Sequence, residues 1–288
     1  MTRMFILPRE MMPLVRHWCG LKDGMDILDV GAGTGYFTRL LASGEERVRV
    51  TGLDRDDGFV DYARKKAAEE RLPIQFVPGD ALALPFEDGS FDLVASHTFF
   101  TSIPDPVRAM EEMQRVVRPG GMIASVTPMS FDEFLWLPGE YPEECVWAQP
   151  YTELREQFYG ACMEIDSFES RTAGVHPALV PRFFAGTGLK NVCVYPLAKC
   201  ISLSNAAIPA EEKRQYIDLY QIAEEKKVSA FMALPEMQTY FTRGQADELL
   251  RLLREKCDWQ RAHLNENDVW DIEGSGSMLV TGVRPDGL

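Results

Sequence analysis

The stretch ILDVGAGTGYFTRLLA, residues 27–42, decides the fold of this chain. An apolar run leads into glycines at 31, 33 and 35, and an amphipathic run follows. That order predicts a β-strand, a tight turn and a helix. Glycine lets a ligand approach the backbone closely, and a helix N-terminus offers open N–H groups and the positive end of the helix dipole. The turn therefore predicts a binding site for a polar ligand.

Strand and helix patterns alternate at short intervals through residue 128, which is typical of a parallel sheet covered by helices on both faces. The predicted strands are 25–31, 47–54, 73–80, 90–99 and 122–128, and the predicted helices are 36–44, 57–72 and 107–121. The expected fold class is α/β, with a doubly wound sheet.

The second half of the chain interrupts this alternation with two mostly helical insertions. We predict a sheet core over 1–128, an aromatic and helical insertion over 129–173, a core helix and sixth strand over 174–206, a second helical insertion over 207–268, and a final strand with the tail over 269–288. The sheet is then expected to have seven strands.

The composition narrows the class of partner. The chain has 288 residues, with 44 acidic against 30 basic side chains and a formal charge of −14. A field of this sign disfavours nucleic acid and anionic lipid. The start lacks a signal-peptide pattern, and no apolar run has the length of a membrane span. The six cysteines are scattered, so we expect reduced thiols and no metal site in a cytoplasmic protein. The expected state is a monomer or a homodimer, between which the sequence does not distinguish.

The spacing of the glycines separates two kinds of ligand. A dinucleotide fingerprint beginning at Gly31 needs glycines at 33 and 36, but position 36 is Tyr36 and the third glycine is Gly35. The turn instead has the form D-x-G-x-G-x-G, beginning at Asp29. A tyrosine would crowd the approach of a pyrophosphate, and a carboxylate suits a cationic ligand end better than a phosphate.

Two further carboxylates follow neighbouring strands. Asp54 ends strand 2, where it can accept hydrogen bonds from both ribose hydroxyls, and Asp80–Ala81 follows strand 3, where a carboxylate and an N–H can bind an adenine edge. The carboxyl ends of these strands line one crevice in a doubly wound sheet. The expected ligand has an amino-acid end, a ribose and an adenine, and lacks phosphates.

Four segments carry a family resemblance: ILDVGAGTGYFTRLLA, VTGLDRDDGFVDYAR, GDALALPFEDGSFDLVASH and EEMQRVVRPGGMIASV. In order and spacing, over about residues 20–128, they resemble the class I S-adenosylmethionine-dependent methyltransferases. They look most like the type 11 subgroup, which includes the ubiquinone and menaquinone biosynthesis enzymes. The resemblance implies a Rossmann-like, mostly parallel sheet whose final strand lies antiparallel beside strand 5, and S-adenosylmethionine as cofactor with S-adenosylhomocysteine as product.

The predicted cofactor-binding residues combine the strand-end positions with the family pattern. By that pattern Asp29 and the glycines take the methionine part, Asp54 the ribose, and Asp80 with Ala81 the adenine. The full predicted set is Asp29, Gly31, Ala32, Gly33, Gly35, Asp54, Arg55, Asp80, Ala81, Ser96 and His97.

The family shares no single catalytic residue. His97, at the end of strand 4, is the candidate general base, with a supporting wall residue as the alternative. The predicted substrate pocket comprises Phe99, Phe100, Trp136, Trp147, Tyr151 and His176. The aromatic residues of the first insertion predict a lid that shields the reaction from water, or else that insertion's own core. A capping role is the alternative for His176.

These observations predict an enzyme that methylates a small acceptor under a helical lid. An RNA or protein methyltransferase and a non-catalytic S-adenosylmethionine-binding protein remain as alternatives. A nicotinamide dehydrogenase is disfavoured by Tyr36.

Overall fold

The chain forms two compact units. A computed structural model describes residues 7, 9–44, 46–128, 135–137, 141–165, 174–202, 204–206, 208–264 and 272–286. The sheet unit comprises Arg3–Ser130, Thr172–Ala198 and Gly276–Leu288, and the helical unit comprises Phe131–Arg171 and Lys199–Ser275 with the first two residues. The sequence placed the corresponding boundaries at 129, 174, 207 and 269.

The strands and helices are numbered in chain order. The strands are β1 Asp26–Val30, β2 Arg49–Asp54, β3 Gln75–Pro78, β4 Phe91–His97, β5 Val117–Pro128, β6 Leu135–Leu137, β7 Lys190–Ser202 and β8 Ile272–Val283. The helices are α1 Met12–Trp18, α2 Tyr36–Ala42, α3 Asp57–Glu69, α4 Pro106–Val116, α5 Ala148–Glu164, α6 Val180–Gly186, α7 Ala210–Met232, α8 Met237–Tyr240 and α9 Arg243–Ala262.

The sheet unit is built on the predicted doubly wound sheet. Its strand order is β3-β2-β1-β4-β5-β8, and β7 also pairs with β8. The first five strands are parallel, and β8 runs antiparallel to β5 with Ser125 opposite Val280. The seven-stranded α/β fold and its antiparallel final strand are confirmed.

Alternate residues of the strands pack on opposite faces of the sheet. Ile27 of β1 belongs to a buried cluster with α1 and α2, whereas Leu28, its neighbour, belongs to a cluster with α4 and α6. This two-residue period is what a sheet covered on both faces requires. Because β1 to β4 run parallel, their carboxyl ends lie at one edge of the sheet.

Helix α4 ends earlier than the sequence pattern predicts. Its start is capped by Asp105, whose carboxylate accepts the Arg108 N–H at 2.9 Å. The predicted continuation to residue 121 is wrong, because the chain becomes extended at Val117 and enters β5. Pro119 disfavours a helical conformation at the residue before it. Arg284 donates to the carbonyl oxygens of Arg115 and Val117 at this end.

The helical unit has a core of its own. Helices α5, α7 and α9 contribute most of a buried cluster that includes Phe158, Ile217 and Leu252. Helix α9 begins with a capping box in which Thr242 and Gln245 exchange hydrogen bonds. Strand β6, which the sequence did not predict, pairs antiparallel with residues 272–274.

None of the helices among the described residues combines the length and apolar character needed to cross a bilayer. In the described part of the chain, the following cysteines form no disulfide bond: Cys19, Cys145, Cys162, Cys193 and Cys257.

Candidate active site

The glycine turn between β1 and α2 adopts a backbone that favours glycine. Gly31, Gly33 and Gly35 have φ angles of +73°, +54° and +71°. A Cβ on Gly31 would lie 2.6 Å from Phe99 Cδ2, and one on Gly35 would lie 2.8 Å from Ala63 Cβ. Both the left-handed conformation and the close packing therefore exclude larger residues.

The N–H groups of this turn are directed into the protein. Gly31 and Ala32 both donate to the carbonyl oxygen of Leu53 at 2.9 Å, and Gly35 donates to Ala32 at 2.9 Å. Gly33 donates to Asp54 Oδ2 at 2.7 Å. The expectation that these N–H groups are open to a ligand is wrong for all four residues. A phosphate cradle needs such groups to point at the ligand, and these four N–H groups do not.

Asp54 joins the turn to the end of β2. Its two carboxylate oxygens accept the N–H groups of Gly33, at 2.7 Å, and of Asp56, at 3.0 Å. A carboxylate offers about four lone-pair sites, so these two bonds fix its orientation and leave acceptor capacity for hydroxyl groups. The geometry fits the predicted contact with a ribose.

Asp29 lies beneath the turn and is almost fully buried. Its Oδ2 accepts a hydrogen bond of 2.6 Å from Thr38 Oγ1, on the first turns of α2. Thr38 has no exposed surface. A buried carboxylate with a hydroxyl donor supplies negative charge at the start of the crevice, where a cationic ligand end is expected.

Asp80 and Ala81 follow β3 at the same edge of the sheet. Asp80 is exposed, and its Oδ1 accepts the Leu82 N–H at 2.9 Å. Ala81 is buried in the core cluster of α4. Arg55 is exposed beyond β2. The sheet register, which pairs Asp54 with Pro78 and Val30 with Ser96, brings the predicted strand-end residues to one edge.

The predicted side chains at the end of β4 point into the protein. Ser96 is fully buried, and its hydroxyl lies 3.1 Å from that of Ser125. His97 is 3% exposed, and its ring centroid lies 5.7 Å from that of Phe37. This placement fits a supporting role under α2 better than direct access to an acceptor. The catalytic role of His97 stays a prediction.

Thr98, directly after His97, has a left-handed backbone with φ of +54°. Such a conformation is costly for a β-branched residue and is found where surrounding structure holds it. Its N–H donates to Val126 at 2.8 Å, and its hydroxyl donates to the His97 carbonyl at 2.7 Å. The chain thus makes a sharp, fixed bend at the crevice, which the sequence did not signal.

The two phenylalanines after β4 occupy different places. Phe99 is half-buried and packs against the bare Cα of Gly31. Phe100 is 1% exposed and contacts Phe183 and Phe184 of α6 in the core. The structure therefore brings Phe99 to the glycine turn and places Phe100 in the interior.

Tyr36, which breaks the dinucleotide fingerprint, attaches the start of the chain to the turn. Its hydroxyl donates to the carbonyl oxygen of Leu7 at 2.9 Å. Leu7 is fully buried with α1 and α2. Trp18 of α1 stacks on Tyr195, with ring centroids 4.6 Å apart.

The remaining predicted pocket residues belong to different units. Trp147 and Tyr151 lie in the helical unit's own core, which is the alternative that the sequence left open. The side chain of Trp136 lies outside the described residues. His176 accepts the Ala178 N–H at 3.3 Å and caps the short turn Pro177–Leu179, as its alternative assignment predicts.

The helical unit contains a polar cluster among its buried aromatic rings. Tyr151 and Tyr220 share a hydrogen bond of 2.9 Å, and Tyr159 donates to both oxygens of Glu224. The guanidinium of Arg155 lies 4.5 Å from the Tyr159 ring centroid. Burial, followed by the Glu224 carboxylate, raises the pKa of Tyr159 well above its ordinary value, which keeps its hydroxyl protonated. Lys256, which is 1% exposed, faces Tyr151 and Tyr220.

Sequence reasoning missed several residues that shape the sheet-unit site. Thr38 and Thr98 contact predicted residues, and Glu112 and Arg115 of α4 hold the segment after Asp80. Thr38 lies nine residues after Asp29, and no sequence spacing rule relates a strand to its following helix in that way. Glu112 has a visible signal, because it lies among the buried apolar residues Ala109, Met113 and Val116 of α4. Arg115 has no such signal. Among the described residues no group of three or more acidic, histidine or cysteine side chains is placed to hold a metal.

Comparison with known proteins identifies the class to which this site belongs. Residues 28–125 match the family described as a methyltransferase domain. The match covers the segment that carries the glycine turn and the three strand-end carboxylates, and the resemblance of the four sequence segments is confirmed.

A curated relative extends this likeness. Demethylmenaquinone methyltransferase of Staphylococcus aureus is 39% identical over 105 residues, which are 36% of this chain and 43% of the relative. The matching part of the chain thus spans less than half the length of that relative.

Solved structures agree in fold. A putative methyltransferase of Bacillus halodurans is 16% identical, with 95% of this chain and 98% of that one covered and a TM-score of 0.51. Phosphoethanolamine N-methyltransferase 2 of Haemonchus contortus, solved with phosphomonomethylethanolamine and S-adenosylhomocysteine, is 17% identical, with 97% and 53% covered and a TM-score of 0.51. At such identities the likeness shows the fold alone.

Proposed function

We propose that this protein is an S-adenosylmethionine-dependent methyltransferase that acts on a small-molecule acceptor. The cofactor is assigned to the crevice at the carboxyl ends of β1 to β4. The methyltransferase domain over 28–125 supports this assignment, as does the position of Asp29, Asp54 and Asp80 at one edge of the sheet.

The observation that carries the proposal is the inward direction of the turn's N–H groups. Gly31, Ala32 and Gly33 donate to Leu53 and Asp54, so the turn presents Cα surface and carboxylate rather than N–H donors. That surface disfavours a pyrophosphate and suits an adenosyl ligand with a cationic amino-acid end. It therefore separates this cofactor from a dinucleotide.

The chain's residues act mainly by binding and orientation. S-adenosylmethionine, when bound, supplies an electrophilic methyl group whose transfer leaves a neutral thioether. Asp54 accepts hydrogen bonds from the ribose, Asp80 accepts them from the adenine, and Asp29, held by Thr38, provides negative charge for the amino-acid end. Holding an acceptor in line with the methyl group supplies most of the rate enhancement in such a displacement.

We assign acceptor binding to the helical unit, acting as a lid. The family match ends at residue 125, and the helical unit lies beyond it in the sequence. A quinone-like aromatic acceptor is favoured by the curated relative, and the net charge of −14 favours a small molecule over nucleic acid.

The test combines binding with turnover. Calorimetric titration with S-adenosylmethionine, S-adenosylhomocysteine and NAD is expected to show binding of the two adenosyl ligands alone. Formation of S-adenosylhomocysteine is then followed with a panel of soluble quinols, phenols, amines and thiols, and with bulk tRNA.

Each outcome assigns the protein to a different class. Turnover with a small acceptor supports the proposal, whereas turnover with tRNA alone assigns the chain to the macromolecular enzymes. Tight adenosyl binding without turnover across the panel supports a non-catalytic binding protein. Binding of NAD alone contradicts the interpretation of the glycine turn.

A substitution tests whether His97 is the general base. If it is, His97→Gln removes the acidic limb of the pH–rate profile. An unchanged profile assigns His97 to a supporting role.

A further inference from the structure

The segment that begins with the predicted adenine-binding residues has no regular secondary structure. Side chains of α4 nevertheless bind its backbone at every second residue. It runs over 80–88, between β3 and β4. Arg108 Nε donates to Leu82 O at 3.2 Å, Arg115 Nη2 to Leu84 O at 2.8 Å, and Arg115 Nη1 to Phe86 O at 2.8 Å. Two arginines of α4 thus bind three carbonyl groups of this one segment.

Glu112 completes the attachment from the same helix. Its Oε2 accepts the Leu84 N–H at 2.8 Å and Arg115 Nη2 at 2.8 Å. Its Oε1 accepts Arg108 Nη2 and Arg115 Nε, both at 3.1 Å. The side chain is 6% exposed. Hydrogen bonds from Arg115, opposed by burial and aided by the Leu84 N–H, hold the pKa of Glu112 below its ordinary value. It is therefore ionised at neutral pH.

A need for stability alone does not account for this arrangement. A buried ion pair stabilises a fold little more than well-packed apolar residues of the same size. Here, however, the charged groups bind backbone N–H and C=O groups of a loop, which apolar side chains cannot do. The arrangement fixes one loop conformation, which indicates that the position of the loop matters.

The near end of the loop carries the predicted adenine site. Asp80 Oδ1 accepts the Leu82 N–H at 2.9 Å, and the Asp80 carbonyl accepts the Ala83 N–H at 3.1 Å. The Leu82 carbonyl is in turn held by Arg108. The orientation of the Asp80 carboxylate thus depends on α4, because the carboxylate binds the N–H group of Leu82 and Arg108 of α4 binds the carbonyl of the same residue.

We propose that Glu112 and Arg115 are positioning residues that hold Asp80 and Ala81 for recognition of the cofactor's adenine. The inference rests on the proposed cofactor site and adds the residues that make this site selective for adenine. Asp80 accepts from the exocyclic amino group and the Ala81 N–H donates to a ring nitrogen. Glu112 and Arg115 act only through the 80–88 loop and do not touch the cofactor.

The test measures selectivity for the adenine amino group. Dissociation constants are measured by calorimetry for S-adenosylhomocysteine and for S-inosylhomocysteine, in which an oxygen replaces the amino group. The protein is expected to prefer the adenosyl ligand by about tenfold, the effect of one lost hydrogen bond at a polar site. Arg115→Gln is expected to weaken adenosyl binding by about tenfold and to reduce the preference to nearly one.

Arg16→Gln is the matched control for general destabilisation. Like Arg115, Arg16 donates to two carbonyls, Leu40 O at 2.7 Å and Leu41 O at 2.6 Å, and to a carboxylate, that of Glu46. It lies at the far end of α2 from the glycine turn. Its substitution is expected to lower the melting temperature about as much as Arg115→Gln does, while the preference for adenine stays as in the unmodified protein.

Two further variants keep the test decisive. Arg115→Lys retains the charge but not the forked geometry, so it is expected to lose most of the preference. Arg108→Gln, at a half-exposed site, serves if Arg115→Gln does not fold, and it is expected to show a smaller loss in the same direction. An unchanged preference in the folded Arg115 or Arg108 variants overturns the inference. If the unmodified protein binds neither ligand, the proposed cofactor itself is wrong.

Discussion

Several polar side chains of the two units differ in what they bind. In the sheet unit, Asp54 binds the backbone of Gly33, Glu112 that of Leu84, and Arg115 that of Leu84 and Phe86. In the helical unit, Tyr151 binds the side chain of Tyr220, and Tyr159 that of Glu224. A side chain that binds backbone fixes the shape of a loop, whereas a side-chain pair between helices fixes only local packing. The first arrangement fits the proposed cofactor site, and the second fits the unit to which we assign the acceptor.

The largest effect is expected from Asp54→Ala. The change removes the acceptor for the Gly33 N–H as well as the proposed ribose contact, so cofactor affinity should fall by about 100-fold. Asp26→Ala is the control, because Asp26 lies at the opposite end of β1. Among the described residues its carboxylate forms an ion pair with the exposed Arg49. Calorimetry with S-adenosylhomocysteine measures both. Equal affinities in the two variants would place the cofactor elsewhere.

Gly35→Ala and Gly120→Ala separate packing from backbone strain in the sheet unit. Both glycines have nearly the same φ, +71° and +72°. A Cβ at 35 meets Ala63 and Phe76 at 2.8 Å, whereas at 120 nothing lies within 4 Å. Gly120→Ala should cost about 1–2 kcal/mol from the left-handed conformation, and Gly35→Ala about 1–3 kcal/mol more from overpacking. The melting temperatures of the two variants measure this difference. A Gly120 variant as unstable as the Gly35 variant would contradict the packing argument.

The Glu112 attachment predicts a pH dependence of stability. Because the folded-state pKa of Glu112 is lowered, chiefly by Arg115, its contribution is fully present above the ordinary value of 4.5 and is lost as pH falls through the lower folded value. The melting temperature of Glu112→Gln should therefore lie below that of the unmodified protein at pH 7. The gap should narrow below about pH 4.5. A gap that widens on acidification would show that Glu112 is not ionised in the fold.

The smallest effect is expected in the helical unit. Tyr151→Phe and Tyr220→Phe each remove one partner of a single hydrogen bond, at a cost of about 1 kcal/mol, and the double variant should cost little more than either one. Cofactor affinity should stay unchanged in all three. Denaturant unfolding and calorimetry test the two statements. A loss of cofactor affinity would contradict the assignment of the cofactor to the sheet unit alone.

The sequence was sufficient for the features that depend on local order along the chain. The run from Ile27 to Ala42 contains its own strand, turn and helix signals, and parallel strands bring their carboxyl ends to one edge whatever the loops contain. The order of strands along the chain was therefore enough to place Asp54 and Asp80 together. The antiparallel final strand followed from the family resemblance, and the sheet confirms it.

The sequence was not sufficient where distant groups compete for the same partner. The N–H groups of Gly31 and Ala32 were expected to face a ligand, but the Leu53 carbonyl, which only the sheet brings near, accepts both. Trp147 and Tyr151 show the same limit, because an aromatic residue in a helix packs equally well in a core or at a pocket.

What the sequence determined by itself is thus the strands, the glycine turn and the carboxylates at the strand ends, since each is marked by residues a few positions away along the chain. Tertiary structure decided which of these groups are already used. It turned the glycine N–H groups inward, buried His97 against Phe37, and attached the 80–88 loop to Glu112 and Arg115 on α4. The physical reason is that a hydrogen-bond donor is satisfied by the nearest acceptor in space, and the fold alone decides which acceptor that is.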